Sequence, residues 1–462
     1  MASTDLIHRV HPASTDGSAS KWAAGLLILG TIGFNAALCF VNTRGVPVSS
    51  LLVMMSEGLL ISGAILACSH YLNATHITIL ALIVLYTLVL SALRYSDSPG
   101  QGFDPKICRD LVIPVVFFLL GKAVDDIRVA DRLVLSAALV LLAFALFEYF
   151  FLDSFLRVFD VAKYYFARGT LDASKAAVEL SQGVSEGLMV SGVRPTDQGR
   201  TLLPFLGDHR VSSLFLEPST LGNLGMLVTL WAVVRSRMEG RLYIWCALGG
   251  LALLILSDTR FDAYFLLLAL PILMLPPRLV TPAVFVLPFV TILALCALGA
   301  TGPSFHGAPA LDGLGIYDRL LYSGRILWSF DIYNWFGLEQ SSAQTFDSGY
   351  GYIISNIGLV GFALLWGLFM SLRGSNRSFY AFRNVLAVYF ATLLCISASV
   401  FTIKLAAMLW FLLGVLSLAK DGMRQRAPAS DFTTPYASRD DRLWWPSPAK
   451  SPVTMRLAKA VW

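Results

Sequence analysis

The chain has 462 residues, of which 56% are hydrophobic and 14% are charged, and its mean hydropathy is +0.67. Soluble proteins carry about 25% charged residues, so this composition excludes intrinsic disorder, a secreted disulfide scaffold and a compact cytosolic enzyme. The formal net charge of +5 is distributed between apolar stretches, unlike the clustered basic surface of a nucleic-acid-binding protein. The sequence therefore predicts an all-α, polytopic membrane protein built as a helical bundle.

Apolar runs of the length that crosses a bilayer, about 17 to 25 residues, recur along the chain. The first, 22–41, follows a polar N-terminal tail, residues 1–21, and is too long for the core of a cleaved signal peptide, so we predict a retained span. The further predicted spans are 48–68, 75–93, 108–124, 132–152, 211–233, 242–258, 261–277, 280–300, 349–371, 382–400 and 403–419. The sequence thus predicts about twelve transmembrane helices in a membrane domain, residues 22–420.

Lys and Arg in the short loops indicate the orientation, because cytoplasmic loops are enriched in them. With the N-terminus inside, the basic loops after the fourth, sixth, eighth and tenth spans all lie in the cytoplasm. The C-terminal tail, residues 421–462, lies there too, and its Pro, Ser and charged residues predict disorder. Two long segments, near 153–210 and 301–348, then lie outside, and connections of this length are usually functional.

Aromatic residues recur at helical spacing in the first outer segment. Phe155, Phe159 and Tyr165 stand beside the basic residues Arg157 and Lys163. The pattern predicts an amphipathic helix, which either lies in the membrane interface or packs on the ends of the spans.

Ionisable residues in or beside apolar runs are costly in a bilayer and are therefore candidate functional residues. The first group contains His209, Arg210, Glu217 and Pro218. Seven positions separate Arg210 from Glu217, which on a helix places them on one face, about 10 Å apart along the axis, with Pro218 breaking the helix. We expect an arginine from another segment to pair with Glu217; the alternative is a buried ion pair that only holds helices together.

A second group, 257–262, occupies the predicted outer turn between two spans. Arg260 there offers a planar, permanently charged fork that suits a diphosphate. The alternative interpretation is a surface arginine that extends to the membrane interface.

The third group belongs to the second long outer segment. Arg319 and Arg325 lie six positions apart in a stretch predicted to be helical, and Asp347 precedes the next span, followed by Tyr350. The alternative for Asp347 is an N-cap of that span.

Arginines and carboxylates on one side of a bilayer suit a lipid-linked polyphosphate. The arginines would neutralise a diphosphate leaving group, and Glu217 or Asp347 would take the proton from an attacking sugar hydroxyl. No D-x-D or His/Cys/carboxylate spacing indicates a metal site, and no two cysteines form a C-x-x-C pair. We therefore predict a metal-independent reaction without a cofactor.

The order Arg-x-x-Ser-x-Phe-x-Glu-Pro-x-x-x-Gly, which runs from Arg210 to Gly222, resembles the Wzy-type polymerases of bacterial O-antigen and exopolysaccharide biosynthesis. The Ser-x-Thr-Arg turn at 257–260 is similar to the same family. So is the late pattern of Arg325, Trp328, Phe336-Gly337, Asp347-x-x-Tyr350 and Gly358-x-x-Gly361. By motif the resemblance covers about 210–370.

The resemblance implies a glycosyltransferase of the bacterial inner membrane, with both termini in the cytoplasm and the two long segments in the periplasm. It would transfer a growing glycan from undecaprenyl diphosphate to the next lipid-linked repeat unit, with a chain-length regulator or export proteins as further partners. Arg210, Arg260 and Arg325 are implied to contact the diphosphate or the sugars, and Arg319, Tyr350, His209 and His306 are further candidate substrate-binding residues. Glu217 and Asp347 are implied as base or positioning residues. Many family members have a histidine where Asp347 stands, so His209 and His306 remain alternative bases.

Two further functional classes remain open. An O-antigen ligase would move finished glycan from the same carrier to a lipid A core. A non-enzymatic flippase or transporter would use intramembrane carboxylates such as Glu57 and Glu148 along a path. No internal repeat supports a transporter built from paired halves, so we interpret these two carboxylates as helix-pairing groups.

Overall fold

The structure, a computed structural model, describes residues 16–97, 104–169, 188, 192, 202–207, 209–301, 315–339 and 347–420. His306, the tail 421–462 and the first fifteen residues of the N-terminal tail lie outside these ranges. Within them the regular elements are helices and no β-strand is formed, as the composition predicts. The α-helices are α1 (Asp16–Thr43), α2 (Ser50–Ala67), α3 (Ala74–Asp97), α4 (Pro105–Val124), α5 (Ile127–Phe150), α6 (Leu152–Val158), α7 (Val161–Ala167), α8 (Pro218–Glu239), α9 (Ile244–Ser257), α10 (Arg260–Met274), α11 (Pro277–Ala300), α12 (Ile316–Trp328), α13 (Ile332–Phe336), α14 (Gly349–Ser371), α15 (Arg377–Leu393) and α16 (Ile403–Leu418).

Six helices in the described ranges are long and apolar enough to cross a membrane. They are Lys21–Thr43, Ser50–Ala67, Ala74–Ser96, Ile127–Phe150, Pro277–Ala300 and Gly349–Ser371. The protein is therefore a helical membrane protein by length and composition of its helices. Each of the other six predicted spans also coincides with a helix, two of them the shorter apolar helices α9 and α16. The count of twelve crossings stays a prediction.

The sixth predicted span begins later than the hydropathy indicates. The residues before α8 form a short 3-10 turn, Ser213–Phe215, and the helix starts at Pro218, which occupies its first turn. Proline suits this position because its missing N–H would have no helical partner there. The backbone N–H groups of Ser212 and Ser213 donate instead to the Glu148 carboxylate of α5, at 3.0 and 2.6 Å. The prediction of one helical face for Arg210 and Glu217 is therefore wrong.

The first outer segment forms two short helices rather than one. Asp160 separates α6 from α7, and its side chain accepts the backbone N–H of Lys163. Phe155 and Tyr164 are fully buried and pack against α1 and α5. The described part of this segment therefore packs on the ends of the longer helices, which was one of the two predicted alternatives.

Helix α14 is broken at Gly358, whose φ of 71° strains any residue with a side chain. The break leaves the carbonyls of the preceding turn without helical donors. Arg94, a fully buried residue of α3, donates through Nη2 to the carbonyls of Ser355 and Asn356, at 3.1 and 2.6 Å. It also donates through Nε and Nη2 to the Gly337 carbonyl, at 2.9 and 2.7 Å. One guanidinium thus provides hydrogen-bond donors for the carbonyls at the break in α14, and it joins α3, α13 and α14.

The ends of the helices define two sides of the bundle. The backbone N–H of Tyr350, at the start of α14, donates to the carbonyl of Leu394 just after α15, at 2.9 Å. The hydroxyl of Tyr352 donates to Asp110, near the start of α4, at 2.8 Å. We call this the polar end; it gathers the starts of α4, α8, α10, α14 and α16 with the last turns of α9 and α15. The opposite side, where α4, α8 and α14 finish, is called the basic end and carries Lys122, Arg235, Arg237 and Arg373.

Candidate functional site at the polar end

Glu217 forms an ion pair with Lys404, the second residue of α16. The Nζ of Lys404 lies 3.0 Å from Oε1 of Glu217 and also donates to the carbonyl of Phe215 at 3.3 Å. Two hydroxyl groups donate to the same carboxylate, Tyr165 to Oε1 at 2.6 Å and Thr220 to Oε2 at 2.9 Å. The expectation of an arginine partner is therefore wrong. Lys404 could have been found in the sequence, because it is the only charged residue between 403 and 418.

Tyr165 is the donor in its hydrogen bond with Glu217. It lies on α7, outside the long helices, and is almost completely buried. Burial, together with the neighbouring Glu217 carboxylate, raises the pKa of its hydroxyl well above the usual range. Tyr165 therefore keeps its proton and stabilises the ionised form of Glu217.

The first two predicted groups lie in contact. The Nε of Arg210 donates to the carbonyl of Ser257 at 3.1 Å, and the backbone N–H of Val211 donates to the carbonyl of Leu256 at 3.2 Å. Gly222 of α8 faces the same turn closely enough that a Cβ atom there would lie 2.7 Å from Oδ2 of Asp262. Tertiary packing thus joins the Arg210–Gly222 segment to the Ser257–Asp262 turn.

The turn itself is shaped by a left-handed residue. Asp258 has φ 48° between α9 and α10, and its Oδ1 accepts the backbone N–H groups of Leu202 and Leu203 at 2.9 and 3.1 Å. Arg260, half-buried, opens α10 directly after this turn. Asp262 is 2% exposed, so a carboxylate lies buried directly beneath the turn.

The third predicted group forms an accessible ion pair. The Nη1 of Arg319 on α12 lies 3.2 Å from Oδ1 of Asp347, and the two side chains are 33% and 49% exposed. The residue that caps α14 is Ser348, whose side chain accepts the backbone N–H of Gly351 at 3.1 Å. Asp347 is therefore not the N-cap of α14, and its carboxylate is open to a ligand.

Arg325 and Tyr350 lie deeper than Arg319. Arg325 is half-buried and follows Gly324, which packs against Gly299 of α11. Tyr350 is fully buried, and its hydroxyl donates to the carbonyl of Ala391 at 2.9 Å. In this arrangement Tyr350 positions α14 on α15, and a direct contact with a substrate would require it to move.

The last turns of α15 lie between the second and third groups. Tyr389 donates its hydroxyl to Asn223 of α8 at 2.7 Å. Just beyond α15, the carbonyl of Cys395 accepts the hydroxyl of Ser323 on α12 at 2.5 Å. The start of α10, which carries Arg260, and the middle of α12 therefore lie on the same side of the bundle, together with the segment that carries Arg210.

His209 is half-buried beside the ring of Tyr149, with 6.2 Å between the ring centroids. This places one of the two alternative bases next to Arg210. The other, His306, lies outside the described residues.

A second ionic network at the polar end contains Glu57, but its other charged members were not predicted from the sequence. Arg109 of α4 is paired with Glu57 of α2 and, at 2.6 Å, with Asp110. The ammonium of Lys106 lies 4.4 Å from the ring centroid of Tyr352, whose hydroxyl binds Asp110. Glu57 therefore pairs α2 with α4, as interpreted from the sequence. Glu148 instead binds the turn that precedes α8, through Ser212 and Ser213, so the interpretation of it as a helix-pairing group is wrong.

In the described part of the chain, no three His, Cys, Asp or Glu side chains group as metal ligands would. Comparisons of the chain with protein-family models, with curated proteins and with solved structures give no match.

Proposed function

We propose that the protein is a polysaccharide polymerase of the bacterial inner membrane, with its polar end on the periplasmic side. It would transfer a growing glycan from undecaprenyl diphosphate to the next lipid-linked repeat unit. The observation that carries this proposal is the contact between Arg210 and the turn that precedes Arg260, on the same side of the bundle as Arg319 and Asp347. Such a site combines fixed cations with an accessible carboxylate.

The chemistry follows from the charges of these groups. A sugar hydroxyl of the acceptor unit attacks the anomeric carbon of the donor glycan, a new C–O bond forms, and the bond to the carrier diphosphate breaks. Arg210, Arg260 and Arg325 would neutralise the negative charge that develops on the leaving diphosphate. A carboxylate would take the hydroxyl proton. Since the cations can serve in place of Mg²⁺, the proposed reaction is independent of metal.

Asp347 suits the role of base better than Glu217. Glu217 is held as an anion by Lys404 and by two hydroxyl donors, and such contacts weaken a carboxylate as a proton acceptor. Asp347 has one described ion-pair partner, Arg319, and half of its side chain is exposed. We therefore assign proton transfer to Asp347 and the positioning of the α8 start to Glu217.

The test is the glycan profile of a strain that lacks this protein and is complemented with single variants. Arg210→Ala, Arg260→Ala and Arg325→Ala should each leave single repeat units in place of polymer, with normal protein abundance in the membrane. The matched control is Arg278→Ala, an exposed arginine at the start of α11 on the basic end. It should give normal polymer. Normal polymer length from all three test variants would refute the cationic site.

The same glycan profile distinguishes the proposed polymerase from the alternative enzyme, an O-antigen ligase. An O-antigen ligase uses the same carrier diphosphate, so its arginines would serve the same purpose. Loss of a ligase would leave long chains bound to the carrier, whereas loss of a polymerase leaves single units. Loss of a flippase would leave the undecaprenyl-linked units on the cytoplasmic side, where an external glycosidase cannot reach them.

A further inference from the structure

An elongated apolar cavity of about 450 Å³ lies between α3, α4, α14, α15 and α16. Its wall includes Asp110 near the start of α4 and Lys122 near the end of the same helix. Twelve positions separate them, or about 18 Å along the helix axis. Aromatic and aliphatic side chains such as Phe118, Leu365 and Trp366 line the stretch between. The cavity therefore runs along the helices from the polar end to the basic end.

The two ends of the cavity differ in their charge. At the polar end the Asp110 carboxylate is neutralised by Arg109 and also accepts a hydrogen bond from Tyr352, so it offers no cation to an anionic group. At the basic end Lys122 and Arg373 both line the wall. A molecule that fills this cavity with an anionic group would thus be oriented with that group toward the basic end.

Lys122 is held in place by aromatic rings. Its ammonium lies 5.3 Å from the ring centroid of Tyr71 and 5.8 Å from that of Phe118. Among the described residues, neither Lys122 nor Arg373 forms a carboxylate ion pair, although ion pairs occur elsewhere at this end, such as Arg235 with Asp131. Two cations at the mouth of an apolar cavity match a phosphate joined to a hydrocarbon chain.

We propose that this cavity binds an anionic phospholipid, with its phosphate between Lys122 and Arg373 and an acyl chain along the apolar wall. The volume is in the range of ordinary ligand pockets, about 300 to 1,000 Å³. The site is separate from the arginine groups of the polar end, and it does not depend on the function proposed for them. With the orientation predicted from the basic loops, the lipid would come from the cytoplasmic leaflet.

The test uses the full-length protein in detergent, with native mass spectrometry for bound lipid and the thermal unfolding midpoint for stability. Phosphatidylglycerol should remain bound and raise the midpoint, since a ligand specific to the folded state stabilises it. Phosphatidylcholine with the same acyl chains, and inorganic phosphate alone, should do neither. An equal effect of phosphatidylcholine, or an equal effect of phosphate alone, would overturn the proposal. Displacement of the lipid by a polyprenyl diphosphate at equal concentration would also overturn it, in favour of the carrier.

Single and double variants distinguish the contribution of the lipid phosphate from that of the acyl chain. Lys122→Gln combined with Arg373→Gln should weaken phosphatidylglycerol binding at least tenfold. Leu365→Trp, which fills the cavity and leaves both cations in place, should also remove the bound lipid. The matched control Arg128→Gln removes an exposed cation from the first turn of α5, outside the cavity wall, and should bind as the unchanged protein does. If the double variant and Leu365→Trp both retain the lipid, the assigned site is wrong.

Discussion

Lys404 and Glu217 form an ion pair of 3.0 Å that joins the first turn of α16 to the residue immediately before α8. The lysine side chain is 7% exposed and the carboxylate 33% exposed. A charge of this kind in an apolar helix requires a partner, because an isolated ammonium is poorly tolerated away from water. The pair therefore fixes the start of α8, which leads directly to Gly222 and the Arg260 turn.

Replacing Lys404 with methionine should destabilise the protein by about 2 kcal/mol. The loss leaves the half-buried Glu217 carboxylate without its cation, and the partial exposure of Glu217 keeps the cost below that of a fully buried pair. Thermal or denaturant unfolding in detergent measures this loss of stability. Adding Glu217→Gln should recover part of the loss, since the two changes are coupled. Lys163→Met, on an exposed lysine of α7, is the control and should change stability by less than about 0.5 kcal/mol. Equal effects of the two lysine changes would contradict the assignment.

Arg94→Leu should cost about 4 kcal/mol, because it leaves the carbonyls of Gly337, Ser355 and Asn356 without donors in a buried site. Arg94→Lys should recover less than half, since one ammonium cannot reproduce the planar fork that contacts all three. The unfolding midpoint in detergent is the measurement. Tyr95→Phe changes the exposed neighbouring residue and should have no effect. A neutral Arg94→Leu variant would show that the break in α14 needs no such cap.

Gly222→Ala should disrupt the contact between α8 and the turn 257–262. The added Cβ would meet the side chain of Thr259 and lie 2.7 Å from Asp262, and a packed core does not accommodate such an overlap without shifting. We expect a loss of about 1 to 3 kcal/mol and of polymer. Gly33→Ala in α1 is the control, because no atom lies within 4 Å of its added Cβ. Helix propensity there favours alanine by up to about 1 kcal/mol. A Gly222→Ala variant as stable as Gly33→Ala would mean that the two segments do not touch.

Asp347→Asn should abolish polymer while changing stability by less than about 1 kcal/mol. The exposed pair with Arg319 contributes little to folding, whereas the proposed reaction requires the carboxylate as proton acceptor. Asp153→Asn, on an exposed carboxylate in the first turn of α6, is the control and should leave both quantities unchanged. The glycan profile and the unfolding midpoint are measured on the same variants. Polymer of normal length from Asp347→Asn would remove Asp347 from the proposed mechanism.

The sequence by itself determined that the protein is a helical membrane protein. A chain with so many apolar runs of spanning length has too few charged residues to form a water-exposed surface around them, and in a bilayer such runs form helices. It also located α12 and the start of α14, where hydropathy, helical spacing and a loop boundary agree. It singled out Glu57 as a helix-pairing group, since a carboxylate in an apolar run needs a partner that donates or is positively charged. Each of these inferences depends only on residues that lie near one another in the sequence.

Only the tertiary structure decided which distant groups meet. That Lys404 rather than an arginine pairs with Glu217, and that Arg94 caps a break in α14, depends on packing between helices far apart in sequence. The helix expected at 210–217 failed for the same reason, because Glu148 of α5 takes the backbone donors that a helix would have used. The local sequence shows which residues need an ion-pair or hydrogen-bond partner. The packing of the helices determines which residue is that partner.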